Sequence, residues 1–210
     1  MEYLFSHYDT ILEYFVEHLF LTGVTVIVSF LIAFPIGLMV SKWKKISEIV
    51  NGIFNTIYSI PSIALFAFLI PFTGIGNKTA IIAFVVYNQY MLIKNVAEGF
   101  DEISPEIYEI GKGLGYKKIP FFFSIELPLA LPMIMSGLKL VTIGTVTGAT
   151  LGATIGAGGL GVLIFRGLKM RHWNKVIIGT ILCAALAFVI STIFQKLEDY
   201  TRKKAQGELV

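Results

Sequence analysis

Charge is what this 210-residue sequence has least of: 15% of its residues are Asp, Glu, Lys or Arg, against roughly 25% in an ordinary soluble domain. Hydrophobic residues make up 55% and the mean hydropathy is +0.76, which together exclude a soluble globular body. There is one cysteine, Cys183, inside an apolar run, so no intrachain disulfide can form and the residue is expected to pack in the core. Residues 1–18 contain no Lys or Arg but carry Glu2, Asp9, Glu13 and Glu17, the reverse of a basic signal-peptide start, so the mature chain is expected to begin here. The formal charge of +3 would suit nucleic acid only if the bases shared one soluble face. They lie between apolar runs instead, which argues against nucleic acid and makes them topology signals.

Long apolar runs are what the sequence has in abundance. About 20 apolar residues cross a hydrocarbon core of roughly 30 Å as a helix that satisfies its own backbone hydrogen bonds. Five such runs occur, near residues 19–40, 49–72, 79–93, 127–151 and 176–194. Pro61 near the middle of the second predicts a kink or local unwinding. The expected fold is therefore an all-α, polytopic transmembrane bundle of five spans. An odd count puts the termini on opposite sides. Placing the basic side inside puts Lys42, Lys44, Lys45, Lys94, Lys112, Lys117, Lys118, Lys196, Arg202, Lys203 and Lys204 in the cytoplasm and leaves Lys78, Arg166, Lys169, Arg171 and Lys175 outside. The N-terminus is thus expected outside and the C-terminus inside. Ile11, Leu12, Phe15, Val16 and Leu19 share one helical face and Asp9, Glu13 and Glu17 another, so residues 1–18 read as an amphipathic helix on the outer surface. Residues 19–195 form the transmembrane domain and 196–210 a cytoplasmic tail.

The one long polar stretch, residues 94–126, carries the most specific signal. Ser104 suits an N-cap with Pro105 at the first helical position, and Gly115 suits the left-handed residue that ends a helix. Residues 116–126 are expected to form a second short helix leading into the next span. Ile107, Ile110 and Leu114 make an apolar ridge that the small loop cannot bury, which points to a protein partner.

This stretch resembles the coupling-loop motif of ABC-importer permeases: Glu-Ala-Ala, three residues, Gly, nine residues, Ile-x-Leu-Pro. Glu109 takes the Glu position, Gly115 the Gly, and Ile125, Leu127 and Pro128 the last three, while Ile110 and Gly111 replace the two alanines. The resemblance implies that a cytoplasmic helix-turn-helix at about residues 98–127 docks on a separate ABC ATPase dimer. Tyr58-Ser59-Ile60-Pro61-Ser62, Leu69-Ile70-Pro71, and the segment 153–168 with its Gly-Ala-Gly-Gly-Leu-Gly piece resemble the osmoprotectant branch, which imports glycine betaine, carnitine or choline. The resemblance further implies a multi-pass subunit of the bacterial cytoplasmic membrane, in contact with lipid. Its expected partners are a second permease chain, identical or homologous, and an extracytoplasmic substrate-binding protein. ATP hydrolysis would belong to the ATPase, with no catalytic residue and no cofactor in this chain.

Several motifs have a blander reading. Gly156-x-Gly158-x-x-Gly161 matches a dinucleotide fingerprint in letters, but no strand, helix and distal acid frame it. Gly156, Gly158, Gly159 and Gly161 are expected instead to form a tight turn at an outer gate, packed against another chain. Gly74 to Thr79 only loosely resembles a phosphate loop. His7, His18 and His172 lack metal-site spacing and are expected at the surface or interface. Lys139, the ionisable residue well inside a span, is either a pathway residue or a side chain that snorkels to the cytoplasmic interface. Tyr58, Tyr87 and Tyr90, with Pro61, could line a path for a quaternary ammonium through cation–π attraction, although packing explains most membrane tyrosines. The rival function, an ion-coupled secondary transporter, usually needs acids at the midplane, and none of the five runs contains Asp or Glu.

Overall fold

The computed structural model describes residues 6–206 and 208, and within them every regular element is helical. In chain order these are α1 (Tyr8–Lys42), α2 (Lys44–Tyr58), α3 (Ser62–Thr73), α4 (Asn77–Asp101), α5 (Pro105–Gly113) and α6 (Lys118–Phe121). A π-helical turn (Phe122–Glu126) joins α6 to α7 (Leu127–Gly152), and α8 (Gly161–Lys169) and α9 (Trp173–Ala205) follow. The helices α1, α4 and α9 and the stretch Lys118–Ile155 are each long and apolar enough to cross a membrane.

The second apolar run is broken more sharply than a kink. The helices α2 and α3 meet at 95° across Ser59, Ile60 and Pro61. Pro61 supplies the break, since it donates no N–H and its φ of −57° and ψ of 134° leave the helical region. The pair nevertheless traverses the bundle. It starts at Lys44, beside the Lys42 end of α1, and the turn after α3 is tied to the opposite end, where the Gly76 N–H donates to the Ile155 carbonyl (2.9 Å). With this pair counted, the bundle has five crossings.

The core lies where α1, α4 and α7 pack together, with α2 and α3 against α4, and α9 against α7 and α8. Small polar residues share it with the apolar ones. Thr22, Thr25 and Ser29 of α1, Asn88 and Gln89 of α4 and Thr142 and Thr145 of α7 are buried, whereas Leu12, Val16, Phe20, Ile27 and Leu31 of α1 face outward. Lipid removes the hydrophobic drive between helices, so close approach and hydrogen bonds hold them instead, at about 0.6 kcal/mol per bond on average. The Asn88 amide donates to Ser29 Oγ (3.1 Å) and Thr145 Oγ1 (3.0 Å), joining all three helices. Gly137 lets α7 approach α4 so closely that a Cβ there would lie 2.6 Å from that of Asn95.

Two expectations change, and one element is extended. Residues 8–18 are the first turns of α1 rather than a separate surface helix, and of the apolar face assigned to them Ile11 turns inward while Leu12 and Val16 point out. His18, expected at the surface or an interface, is fully buried within the chain. The residues after 194 continue α9 as far as Ala205, so the segment from 196 is helical at its start. The outermost parts of the two terminal segments, residues 1–5, 207 and 209–210, lie outside the described residues.

Candidate functional site

The helix α4 outlasts its apolar run by two turns, and the hairpin begins beyond its end at Asp101. Ser104 is extended (φ −64°, ψ 145°) with Pro105 at the start of α5, as the N-cap pattern requires. The Ser104 hydroxyl donates to the Glu106 carboxylate and holds its pKa below the ordinary glutamate value. At the other end of α5, the Gly115 N–H donates to Lys112 O (3.0 Å) and the Tyr116 N–H to Gly111 O (3.0 Å), the double bond pattern of a Schellman cap. Gly115 has the φ of +74° that this cap demands.

The hairpin has its own small core. The Phe121 ring lies directly over Gly111, with Tyr108 and Tyr116 at centroid distances of 5.7 and 6.1 Å. That contact accounts for glycine where the motif has its second alanine: a Cβ at 111 would collide with the ring. Phe122 stacks on Phe100 of α4 (5.8 Å, 10°) and fixes the hairpin to the bundle. Ile107 is half-buried against this end of α4 and α7, so the ridge is partly covered within the chain. The remainder is bare: Ile110 is 61% exposed, Leu114 71%, and, unforeseen from the sequence, Ile119 73% and Phe123 62%. Glu109 is exposed beside them, whereas Ile125, Leu127 and Pro128 are half-buried and anchor the start of α7. A groove of about 440 Å³ runs between the hairpin and Lys42 of α1, and Lys112, Lys118 and Glu126 share its wall.

At the opposite end, the glycine loop is held by its own chain. The Gly159 N–H donates to the Glu17 carboxylate (2.8 Å) and the Gly158 N–H to Asn77 Oδ1 (2.9 Å). Gly159 has a φ of +89° and lies against His18, whose Nε2 is 3.0 Å from the Val146 carbonyl. Gly156 is left-handed as well, and a Cβ at Gly161 would strike the Thr150 backbone. Within this chain the glycines approach α1 and α7 closely, and the Gly158 N–H reaches the start of α4. Glu17, His18 and Asn77 were not legible as its partners, because 142 residues separate Glu17 from Gly159.

Midway along the bundle, Tyr58 packs edge-to-face on Tyr87 (6.1 Å, 87°) and offset on Tyr90 (5.3 Å, 34°), beside the break at Pro61. The three tyrosines are therefore brought together. Lys139 is elsewhere: its Nζ lies 2.7 Å from both Glu198 Oε2 and Gln195 Oε1 on α9, and Arg202 bonds the other Glu198 oxygen (3.0 Å). It is thus paired toward the basic end of α9. Among the described residues no cluster of three His, Cys, Asp or Glu could hold a metal ion.

Four long apolar helices, a broken helix pair, polar helix interfaces and an apolar-tipped hairpin at the basic end make this a polytopic membrane protein. It belongs to the family described as binding-protein-dependent transport system inner membrane component, which it matches over residues 16–204. The glycine betaine/carnitine/choline transport system permease protein OpuCB of Bacillus subtilis is 34% identical over 192 residues, covering 91% of this chain and 88% of that protein. The choline transport system permease protein OpuBB of the same organism is 36% identical and covers 87% and 84%. In fold, the chain resembles one from the MetNI methionine ABC transporter in inward-facing conformations, with a TM-score of 0.78, 23% identity and coverage of 91% and 95%. The chain is thus a transport subunit and not an enzyme, and its family works with a separate ATPase and a substrate-binding protein.

Proposed function

We propose that this chain forms half of the membrane pathway of an ATP-driven importer for a quaternary-ammonium osmoprotectant such as glycine betaine, carnitine or choline. The observation that carries the mechanism is the bare apolar tip of the hairpin, Ile110, Leu114, Ile119 and Phe123, at the end of the bundle where the basic residues gather. Phosphate headgroups and water meet the protein there, so four large apolar side chains within 14 residues need a protein surface. A groove on an ATPase subunit provides it. The solute class is supported by the relatives, whose names state glycine betaine, carnitine and choline.

Five crossings leave one chain with an open-sided groove, so a second permease chain, identical or homologous, completes the pathway. The basic end is cytoplasmic by the charge asymmetry, which puts the start of α1 and the Glu17-held glycine loop on the outer side, where a solute receptor docks. ATP binding closes the two ATPases and moves the hairpins. Because Phe122 is stacked on Phe100 and α6 runs through the π turn into α7, that movement is passed to α4 and α7 together. The glycine loop, bonded to α1 and α4, then reports the change at the outer gate. Residues 19–195 are the transmembrane unit in this reading, and the mechanism assigns no cofactor to it.

The test is uptake of labelled glycine betaine, carnitine and choline by the complex of permease, ATPase and receptor in proteoliposomes. Uptake of at least one should need both internal ATP and the receptor. Accumulation driven by an ion gradient without ATP would overturn the proposal.

A further inference from the structure

Backbone groups released by a helix break cannot face hydrocarbon, so a break within a span lies against protein or a polar cavity. Here the break between α2 and α3 falls near the middle of α4, the level of Tyr87, well inside the bundle. It opens onto a groove of about 600 Å³, within the usual range for small-molecule sites, with walls from α2, α3, α4 and α7. Tyr58, Tyr87 and Phe84 give the groove aromatic walls, Ser62 and Asn88 its polar atoms, and no Asp, Glu, Lys or Arg lines it. Tyr58 is 49% exposed and backed by Tyr90. The Tyr87 hydroxyl donates to the Ile60 carbonyl, which fixes that ring against the break.

We propose that this groove is a binding site of the permease itself for the trimethylammonium group of the solute, held by the rings of Tyr58, Tyr87 and Phe84, with Tyr90 positioning Tyr58 from behind. The proposal rests on the osmoprotectant reading and deepens it. Three features select such a group. Aromatic faces attract cations through their quadrupole, most effectively where water is scarce. The C-terminal end of α2, with its partial negative charge, points at the same place. A strongly hydrated metal cation would need a cage of oxygen ligands, whereas Leu140, Val141 and Ile143 make the rest of the wall apolar. Lack of a carboxylate also keeps the site weak. A pathway site must release its solute, and a counter-charge at this depth would hold it.

The site is tested with the permease and ATPase complex in nanodiscs, without the receptor, by titrating choline and its uncharged isostere 3,3-dimethylbutan-1-ol and following thermal stability. Choline should stabilise the complex, and the isostere should require a roughly tenfold higher concentration or more for the same shift. Tyr58→Phe should keep the preference, because the ring quadrupole remains. Tyr58→Leu should lose it, and Tyr90→Leu, which removes the ring behind Tyr58, should weaken it, while the complex still elutes intact. Equal response to choline and the isostere, or full choline affinity in both leucine variants, would overturn the site. Uptake by the complete complex separates the two proposals: uptake of a quaternary solute with no tyrosine-dependent binding overturns the site alone, and no uptake of any quaternary solute overturns the function as well.

Discussion

Gly111 and Gly115 are both in the hairpin, and their demands on glycine differ. At Gly115 there is open space around the position, and the requirement is the left-handed backbone alone. A β-branched residue there costs roughly 1–2 kcal/mol, whereas asparagine visits the same region readily. Gly115→Val should therefore reduce the ATPase that co-purifies with the permease, and Gly115→Asn should retain most of it. At Gly111 the backbone is ordinary helix and the obstacle is Phe121, so Gly111→Ala overpacks the hairpin at a cost of about 1–3 kcal/mol. Adding Phe121→Leu should restore much of the loss at 111 and do nothing for Gly115→Val. Equal rescue of both by Phe121→Leu, measured by ATPase retention after purification, would show that one mechanism serves both positions. The conformation of Gly115 was legible beforehand, because a cap is written in consecutive residues. The reason for Gly111 was not, since it needs the fold of a ring ten positions away.

At the scale of the element, the same distinction separates what could be anticipated. Pro61 announced a break and Ser104-Pro105 a helix start, because proline acts on its own backbone. The 95° angle at the break depends instead on α4, which meets α2 through Tyr87 and Tyr90 and α3 through Phe84. The inward face of α1 could not be read from hydrophobic periodicity, since lipid accepts apolar residues on one side and the core takes small and polar ones on the other. Thr22, Thr25 and Ser29, with Ala33 and Gly37 next at helical spacing, were the available signal. The orientation of the whole set remains a matter of charge. Single-cysteine variants at Thr10, Lys44, Lys112 and Lys203, in a Cys183→Ser background, should label from outside at position 10 and from inside at the other three. Labelling of position 112 from outside would remove the ATPase from the hairpin.

Over the whole molecule, α9 is the least embedded long helix. Gly179 and Leu186 are buried, but most of its side chains are not, and α7 and α8 are its main contacts. Near its basic end, Lys139 of α7 meets Glu198, which is 6% exposed, while Gln195 and Arg202 complete the shell one turn to either side. Those three α9 residues fall on one helical face, and this pattern of 195, 198 and 202 was the only sequence trace of a partner for Lys139. Desolvating both charges offsets most of their attraction, so the pair itself adds little, but removing one partner strands the other at a cost of about 3–5 kcal/mol. Glu198→Leu should therefore lower the thermal midpoint of the purified complex more than Lys139→Met, because Glu198 keeps Arg202 when Lys139 is removed, whereas Lys139 is left with the neutral Gln195. The double variant Lys139→Met with Glu198→Leu should recover most of the loss, since Arg202 is more than half exposed at its side chain and can turn to water. If the two single losses simply add in the double variant, the contact does not clamp α9 to α7, and the helix is held by packing at Gly179 and Leu186 alone.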